Sequence, residues 1–241
     1  MIRDSQARSK RYYDEFSATY EDQRHRGYHT LLDDLELEIA LRHCDGGRVL
    51  EAGCGTGLIL ARLRRHCRHA VGIDLSAGML AAAAGRRLQV VQGAVGALPF
   101  PDDCFDAVVS FKVLAHVPDI EDTLAELSRV TRPGGHLVLE FYNPHSLRAL
   151  VKRLKRPSRI GARFSDEDVY TRFDSLARVR ALTPPGLELV DLRGVRIFTP
   201  FAQLHDLPGV GWLLAGAERL GADLPLLRRI GGFLIVVLRK L

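Results

Sequence analysis

The sequence is poor in residues that mark several protein classes. Its 241 residues include one tryptophan, two methionines and four cysteines. The cysteines (Cys44, Cys54, Cys67, Cys104) form no CxxC pair, which argues for reduced thiols and against a metal site. No apolar run approaches the roughly 18 residues that cross a bilayer. The longest candidate, Phe233–Leu238, is strand-sized. The start, Met1-Ile2-Arg3-Asp4, is charged and lacks the apolar core of a secretory signal. A cytoplasmic protein without a bound metal is the expectation. Internal repeats are absent, and the one low-complexity tract is Ala81–Ala84.

What is present is an ordinary globular composition, 46% hydrophobic and 26% charged. The length suits one large α/β domain with decorations. The net charge of +5 is unevenly spread. Residues 1–145 carry 17 basic and 20 acidic side chains, a balance of −3, and residues 146–241 carry 17 and 9, a balance of +8. Arg148 to Arg163 holds seven basic residues and no acidic one. Such a patch suits an anionic substrate, a membrane surface or nucleic acid; the plainer reading is a solvated helix face.

Residues 8–43 read as helical. Tyr12, Tyr13, Phe16 and Tyr20 recur at helical spacing, Leu31, Leu32, Leu35 and Ile39 do so again, and Gly46-Gly47 stops the second helix. Strands then alternate with helices. Arg48–Ala52, Ala70–Asp74, Leu88–Gln92, Phe105–Ser110 and His136–Phe141 read as strands, with helices over about 57–66, 76–85 and 119–131. This rhythm predicts βαβ units and a parallel sheet covered on both faces. Beyond it, 144–165 is basic and loosely patterned, and a helix is expected over about 166–182, before Pro184-Pro185-Gly186. Leu187–Phe198 and Phe233–Leu238 read as two further strands, with short helices expected in the apolar 200–230 between them.

The strongest signal is Val49-Leu50-Glu51-Ala52-Gly53-Cys54-Gly55-Thr56-Gly57, a strand running into three alternating glycines and a helix. Glycines here remove Cβ atoms so that a ligand approaches the backbone closely. Free N–H groups at the following helix start suit polar ligand atoms. A dinucleotide fingerprint would read GxGxxG, but its last glycine falls on Leu58. The spacing is GxGxG, with Glu51 at the strand end and Asp74 closing the second strand 23 residues later. An acid at that place accepts hydrogen bonds from ribose hydroxyls.

Glu51 to Gly57, Val71-Gly72-Ile73-Asp74-Leu75-Ser76 and Arg132-Pro133-Gly134-Gly135-His136 resemble the successive motifs of class I S-adenosylmethionine-dependent methyltransferases. The nearest likeness is to the ubiquinone/menaquinone-biosynthesis-type group, which the run Gly93 to Asp106 also fits. The resemblance covers about 10–142 and the last two strands. It implies an α/β fold: a Rossmann-like sheet, mostly parallel with an antiparallel last strand, helices on both faces and a helical lid. It also implies one domain over 1–241, with a helical lid in 1–45 and a cofactor-binding core in 46–142. A basic lid insert and helix in 143–186 follow, then the last two strands in 187–241, which enclose the apolar 199–230 insert. S-adenosylmethionine is the implied cofactor. By the resemblance, Gly53, Cys54 and Gly55, with Glu51 beside them, line its methionine end. Asp74 holds the ribose, and Leu75 and Met79 pack on the adenine. Ser110 and Phe111 sit near the sulfonium, and Tyr20 closes over the methionine. One departure stands out. Related sequences carry Gly-Asp where this chain has Gly93-Ala94, so Ala94 offers no acceptor to the adenine amino group, although the Val95 backbone still reaches the ring. Binding weaker by about 1–2 kcal/mol is expected, the worth of one hydrogen bond.

Methyl transfer needs a base only if the acceptor loses a proton. His116 and His145 are the candidate catalytic residues, with Tyr142 and His29 behind them. Asn143-Pro144 follows the fifth strand, not the fourth, which counts against an amino-methylating nucleic-acid enzyme, and Arg148–Arg163 lacks the interleaved aromatics of a stacking platform. Leu147, Leu150, Val151 and Leu154 form an apolar stripe opposite Arg148, Lys152, Lys155 and Arg156. A lid helix is the first reading of that pattern and a membrane-surface helix the second. The expectation is methylation of a small, largely apolar acceptor, on oxygen first and carbon or nitrogen next. Its rivals are a nucleic-acid methyltransferase and a non-catalytic cofactor-binding protein.

Overall fold

The computed structural model describes residues 2–22, 24, 27–44, 46–154, 159–160, 164–165 and 170–241. Two helices lead, α1 (Ile2–Phe16) and α2 (Gly27–Cys44). The helical spacing over 8–43 is therefore interrupted by turns at 17–22, where the Ser17 hydroxyl donates to Asp14 O and closes α1. Alternation then follows: β1 (Arg48–Ala52), α3 (Leu58–Leu63), β2 (His69–Asp74), α4 (Ala77–Gly85), β3 (Gln89–Gln92), β4 (Phe105–Ser110), α5 (Ile120–Val130) and β5 (Thr131–Tyr142). The chain goes on through α6 (Leu147–Leu154), the two-residue strands β6 (Arg159–Ile160) and β7 (Phe164–Ser165), and α7 (Leu176–Leu182). It ends with β8 (Leu187–Val195), α8 (Val210–Gly221) and β9 (Phe233–Lys240).

Seven strands form one sheet in the order β3-β2-β1-β4-β5-β9-β8. Strands β1 to β5 pair parallel, and β9 runs antiparallel to both its neighbours, β5 and β8. The expected Rossmann-like sheet with a reversed last strand is what forms. Its faces follow the two-residue period of a strand. Val49, Ala107, Val109, Val138, Ile235 and Val237 share one buried cluster with Leu35 and Ile39 of α2. Leu50, Val108, Leu137, Leu139 and Val236 share the other with Leu124 and Leu127 of α5 and Val179 of α7. Chain order reverses between β1 and β4, and such a switch point opens a crevice at the strands' carboxyl ends.

Two expectations change. The helix placed at 166–182 begins only at Leu176, where the Ser175 hydroxyl accepts from Arg178 N–H. Arg172 N–H donates to Ala115 O and Asp174 N–H to Tyr142 O, so 170–175 is drawn across the sheet's end instead of coiling; residues 166–169 lie outside the described ones. The fifth strand starts at Thr131, not His136, taking a register irregularity against β4 between Phe105 and Ala107. The basic face expected opposite the apolar stripe is described in α6 through Leu154, and Lys155, Arg156 and Arg163 lie outside the described residues.

Candidate active site

A cavity of about 320 Å³ occupies that crevice. A second of about 50 Å³ adjoins it, sharing Tyr20, Gly53, Gly55, Phe111 and Lys112 as walls. The glycine loop separates them. Gly53 sits at φ +81°, and a Cβ there would lie 2.2 Å from Val113 Cγ2, so glycine is required for the loop to pass under β4's end. Gly55, at φ +52°, has nothing within 4 Å of where a Cβ would stand. That open cradle is space a ligand can use.

Four of the loop's own amides are taken within the protein, and the helix-start N–H groups from Leu58 on are not among them. Gly53 and Cys54 N–H both donate to Ile73 O, and Gly57 N–H to Cys54 O. Gly55 N–H donates to Asp74 Oδ2 at 2.8 Å, while Ser76 N–H holds Oδ1 at 2.9 Å. Burial raises the Asp74 pKa above the usual carboxylate value, against the Ser76 and Gly55 bonds. Each carboxylate oxygen still has a lone pair for a hydroxyl in the cavity that Asp74 lines. Leu75, Met79, Ala94, Val95 and Phe111 line the same cavity.

Around the smaller cavity lies a buried charge cluster. Glu51 is 4% exposed, and its Oε2 has no partner among the described residues. Burial first, then the Glu36 and Asp33 charges, push its pKa well above the usual range. Lys112 reaches Glu36 at 2.5 Å and Asp33 at 3.3 Å, and Arg24 pairs with Asp33 at 2.6 Å. Burial opposes the Lys112 charge, but Glu36, Asp33 and Glu140 outweigh it and raise its pKa. Lys112 holds φ +60°, a left-handed conformation rare outside glycine. Tyr20 joins here: its hydroxyl accepts from Arg24 Nη1 at 3.1 Å, and its ring meets Phe16 edge-on. Cys54 borders this cavity too, its thiol pKa raised by burial.

Two expected residues sit elsewhere. Ser110 lines neither cavity; its buried hydroxyl donates to Ala52 O at 2.8 Å and braces β4 to β1. His145 is exposed, borders neither cavity, and donates its N–H to Asn143 Oδ1. The turn before α6 faces outward because Asn143 spends its amide on Arg229 O and Gly231 O. His116 does line the large cavity. Its Nδ1 lies 2.9 Å from Tyr170 O, and a carbonyl only accepts, so Nδ1 carries the proton and Nε2 the lone pair. Burial lowers the His116 pKa, the Tyr170 bond opposes that, and the Arg148 and Lys152 charges assist it. Of the weaker candidates, Tyr142 stands behind His116 in ring contact at 5.7 Å, and His29 borders neither cavity.

The spacing did not reveal Tyr13, which lines the large cavity with its ring 6.4 Å from His116, or the Lys112–Glu36 pair. Tyr13 was visible only as one of several aromatics on a helical stripe. Of the segments expected to form a lid, the N-terminal one contributes Ser9, Tyr13 and Tyr20 to the wall of the large cavity, and no described residue of 146–163 or 200–230 is among the linings of either. Asp14 anchors α1 to α4, accepting from Ser76 Oγ at 2.7 Å and Gly78 N–H at 3.2 Å.

Sheet order, glycine loop and strand-end acid together define the Rossmann-like fold of class I S-adenosylmethionine-dependent methyltransferases. Residues 50–139 match the methyltransferase domain family and are a methyltransferase domain of that class, akin to the menaquinone-type group. The demethylmenaquinone methyltransferase of Mycolicibacterium paratuberculosis is 45% identical over 100 residues, which are 41% of this chain and 44% of that protein. That of Mycobacterium marinum is 44% identical over 108 residues, 44% of this chain and 47% of that one. The chain thus spans under half the length of the curated relatives it matches. An S-adenosylmethionine-dependent methyltransferase from Thermotoga maritima, described as a possible histamine N-methyltransferase, superposes with TM-score 0.70 at 21% identity, over 96% of this chain and 99% of that one. At that identity the likeness is one of fold.

The cavity residues fit S-adenosylmethionine. The open cradle at Gly55 leaves room at the backbone, Asp74 has lone pairs for ribose hydroxyls, and Glu51 Oε2, without a partner among the described residues, suits an ammonium group.

Proposed function

We propose that the chain is an S-adenosylmethionine-dependent methyltransferase acting on a small, largely apolar ring compound of quinone or phenol type, with oxygen the first choice of target atom. The observation that carries the acceptor reading is His116, whose Nδ1–H is spent on Tyr170 O so that Nε2 keeps its lone pair, in a cavity wall that also holds the apolar Phe111, Val113, Val117 and Pro118 beside Lys112, Asp119 and Asp122. Glu51, Asp74 and the Gly53–Gly55 loop would hold the cofactor, which when bound supplies an electrophilic methyl group. The chain's own part is position and exclusion of water. Val113 and Val117 offer an apolar ring a dry seat, and His116 Nε2 takes the proton from an acceptor hydroxyl as the oxygen attacks. Tyr170 O stabilises the resulting imidazolium through Nδ1–H. Tyr13 and Tyr20 close the cavity from the N-terminal side. The names of the relatives, demethylmenaquinone methyltransferases, support an acceptor of this kind. The test is to incubate the full chain with S-adenosylmethionine and a panel of hydroxylated quinones and phenols, following release of the demethylated cofactor. Turnover with ring hydroxyls but not with aliphatic amines is expected. Turnover only with amines would overturn the acceptor reading, and no turnover on any compound would overturn the activity.

A further inference from the structure

Helix α8 is built inside out. An amphipathic surface helix normally turns its apolar stripe to the core and its polar face to water. Here Trp212, Leu213 and Leu220, exposed by 79%, 63% and 78%, lie within about 100° of one another around the helix. The face turned to the protein carries Gly211, Gly221 and Glu218, all buried. Glu218 fastens it, accepting from the N–H groups of Ile197, Phe198 and Thr199 and from the Thr199 hydroxyl, at 2.8 to 3.0 Å. A Cβ on Gly211 would stand 2.4 Å from His205 O, so this face also fits by close backbone approach. The helix is fixed by a carboxylate, by glycines and by the ion pairs of Arg219 with Asp34 and Glu38, and Trp212, Leu213 and Leu220 are left outside. Leu224 and Leu226 extend the exposed surface beyond its end, at 49% and 79%. Single exposed leucines mean little, but a contiguous set marks an interaction surface.

The charge around this surface selects its occupant. The bonds from Asn143 to Arg229 O and Gly231 O stitch the start of α6 to the segment after α8. Leu147 and Leu150 of α6 are themselves 40% and 54% exposed. Arg148 itself is turned inward over the Tyr142 ring, but exposed Arg153 follows Leu147 and Leu150 on α6, and exposed Arg229 lies in the segment after α8. Residues 146–241 carry 17 basic and 9 acidic side chains, a balance of +8. No helix among the described residues is long and apolar enough to cross a membrane. A tryptophan among leucines on a helix too short to span, with exposed Arg229 in the following segment, has the chemistry of a segment lying in a bilayer interface. We propose that α8 and the segment to Ile230 form a docking surface for an anionic lipid bilayer. The inference stands apart from the proposed methyl transfer. The start of α6 does lie close to the cavity: the Tyr142 ring contacts His116 on one side and Phe233 on the other, with the Arg148 guanidinium 4.3 Å from its centre.

Trp212 is the sole tryptophan, so selectively excited tryptophan emission reports on this surface. The full chain is titrated with vesicles of phosphatidylcholine mixed with phosphatidylglycerol, and with vesicles of phosphatidylcholine only. A blue-shifted emission with the mixed vesicles, quenching by brominated acyl chains, and weakening as salt rises are expected. The triple variant Leu213→Ser, Leu220→Ser, Leu226→Ser should partition at least about tenfold less, with its circular dichroism and its affinity for S-adenosylhomocysteine retained. The quenching measurement needs no variant. Absence of any shift with either vesicle overturns the proposal. So does a lipid-free shift that grows with protein concentration alongside a dimer in sedimentation, which would make the face an interface between copies. Equal binding by the triple variant and the parent would overturn it as well.

Discussion

Gly55 donates its backbone N–H to Asp74 Oδ2 at 2.8 Å, so the glycine loop and the strand-end acid form one unit. Removing the acid therefore costs twice: it takes away the acceptor for ribose hydroxyls and the anchor of the loop. Hydrogen bonds to a charged acceptor are worth about 1.5–3 kcal/mol each. Asp74→Ala should reduce affinity for S-adenosylhomocysteine by roughly two orders of magnitude or more, read by calorimetric titration of the folded variant. Unchanged affinity would sink the assignment.

The two glycines of the loop should respond differently to alanine. At Gly53 the new methyl would stand 2.2 Å from Val113 Cγ2 on a left-handed backbone, so Gly53→Ala should destabilise the fold by at least about 1–3 kcal/mol. At Gly55 the methyl meets nothing within 4 Å, and the backbone penalty alone is about 1–2 kcal/mol. Gly55→Ala should stay folded but lose cofactor affinity, because its methyl occupies the cradle. Denaturant unfolding and titration, run side by side, check the contrast; a Gly55→Ala protein that binds normally would show that the cradle is not used.

Ala94 lines the large cavity where related sequences place an aspartate. Supplying that carboxylate should restore one hydrogen bond, so Ala94→Asp should tighten cofactor binding about fivefold to tenfold, the equivalent of ~1–1.5 kcal/mol. Dissociation constants of the two proteins decide it. No gain would mean that another group takes the adenine amino hydrogen; the buried, unpartnered Thr123 hydroxyl of the same cavity is available for that.

His116 sets the acid limb of the rate profile. Its pKa is lowered from 6.5 by burial, against the Tyr170 bond and with help from Arg148 and Lys152. The neutral, basic form therefore dominates at pH 7, and kcat/KM should be flat above about 6.5, falling as pH drops through the lowered value. Stability follows the same sign: the unfolded ring binds protons first, so the contribution is whole above the unfolded value and is lost as pH falls through the folded one. His116→Ala should reduce kcat/KM by about 10²–10⁴ and remove the limb. Retention of the limb in that variant would assign it to another group.

The local signals were legible without coordinates. Short apolar runs between helices marked the strands of the core because a strand buried on both faces reads as a near-continuous apolar run. GxGxG and Asp74 gave the loop and its acid because positive φ and close approach leave few substitutes for glycine. His116 could be named from its position after the fourth strand, but its tautomer could not, since Tyr170 O comes from a segment more than 50 residues away. His145 stood at an equally suitable place in the chain, and Asn143's bonds to residues 229–231 turn it outward.

The sequence by itself determined the order of elements, the glycine loop and the acid that faces it, because each depends on residues close together in the chain. Tertiary structure decided the rest. It placed Glu36 of α2 against Lys112 after β4, creating a buried ion pair between segments with no shared motif. It also decided which face of α8 meets the protein. Composition marks residues 200–230 as apolar, but the bonds of Glu218 to 197–199 and the ion pairs of Arg219 with Asp34 and Glu38 fix the helix with Trp212, Leu213 and Leu220 outward. Whether an apolar residue is core or surface depends on what packs against it, and that partner lies elsewhere in the chain.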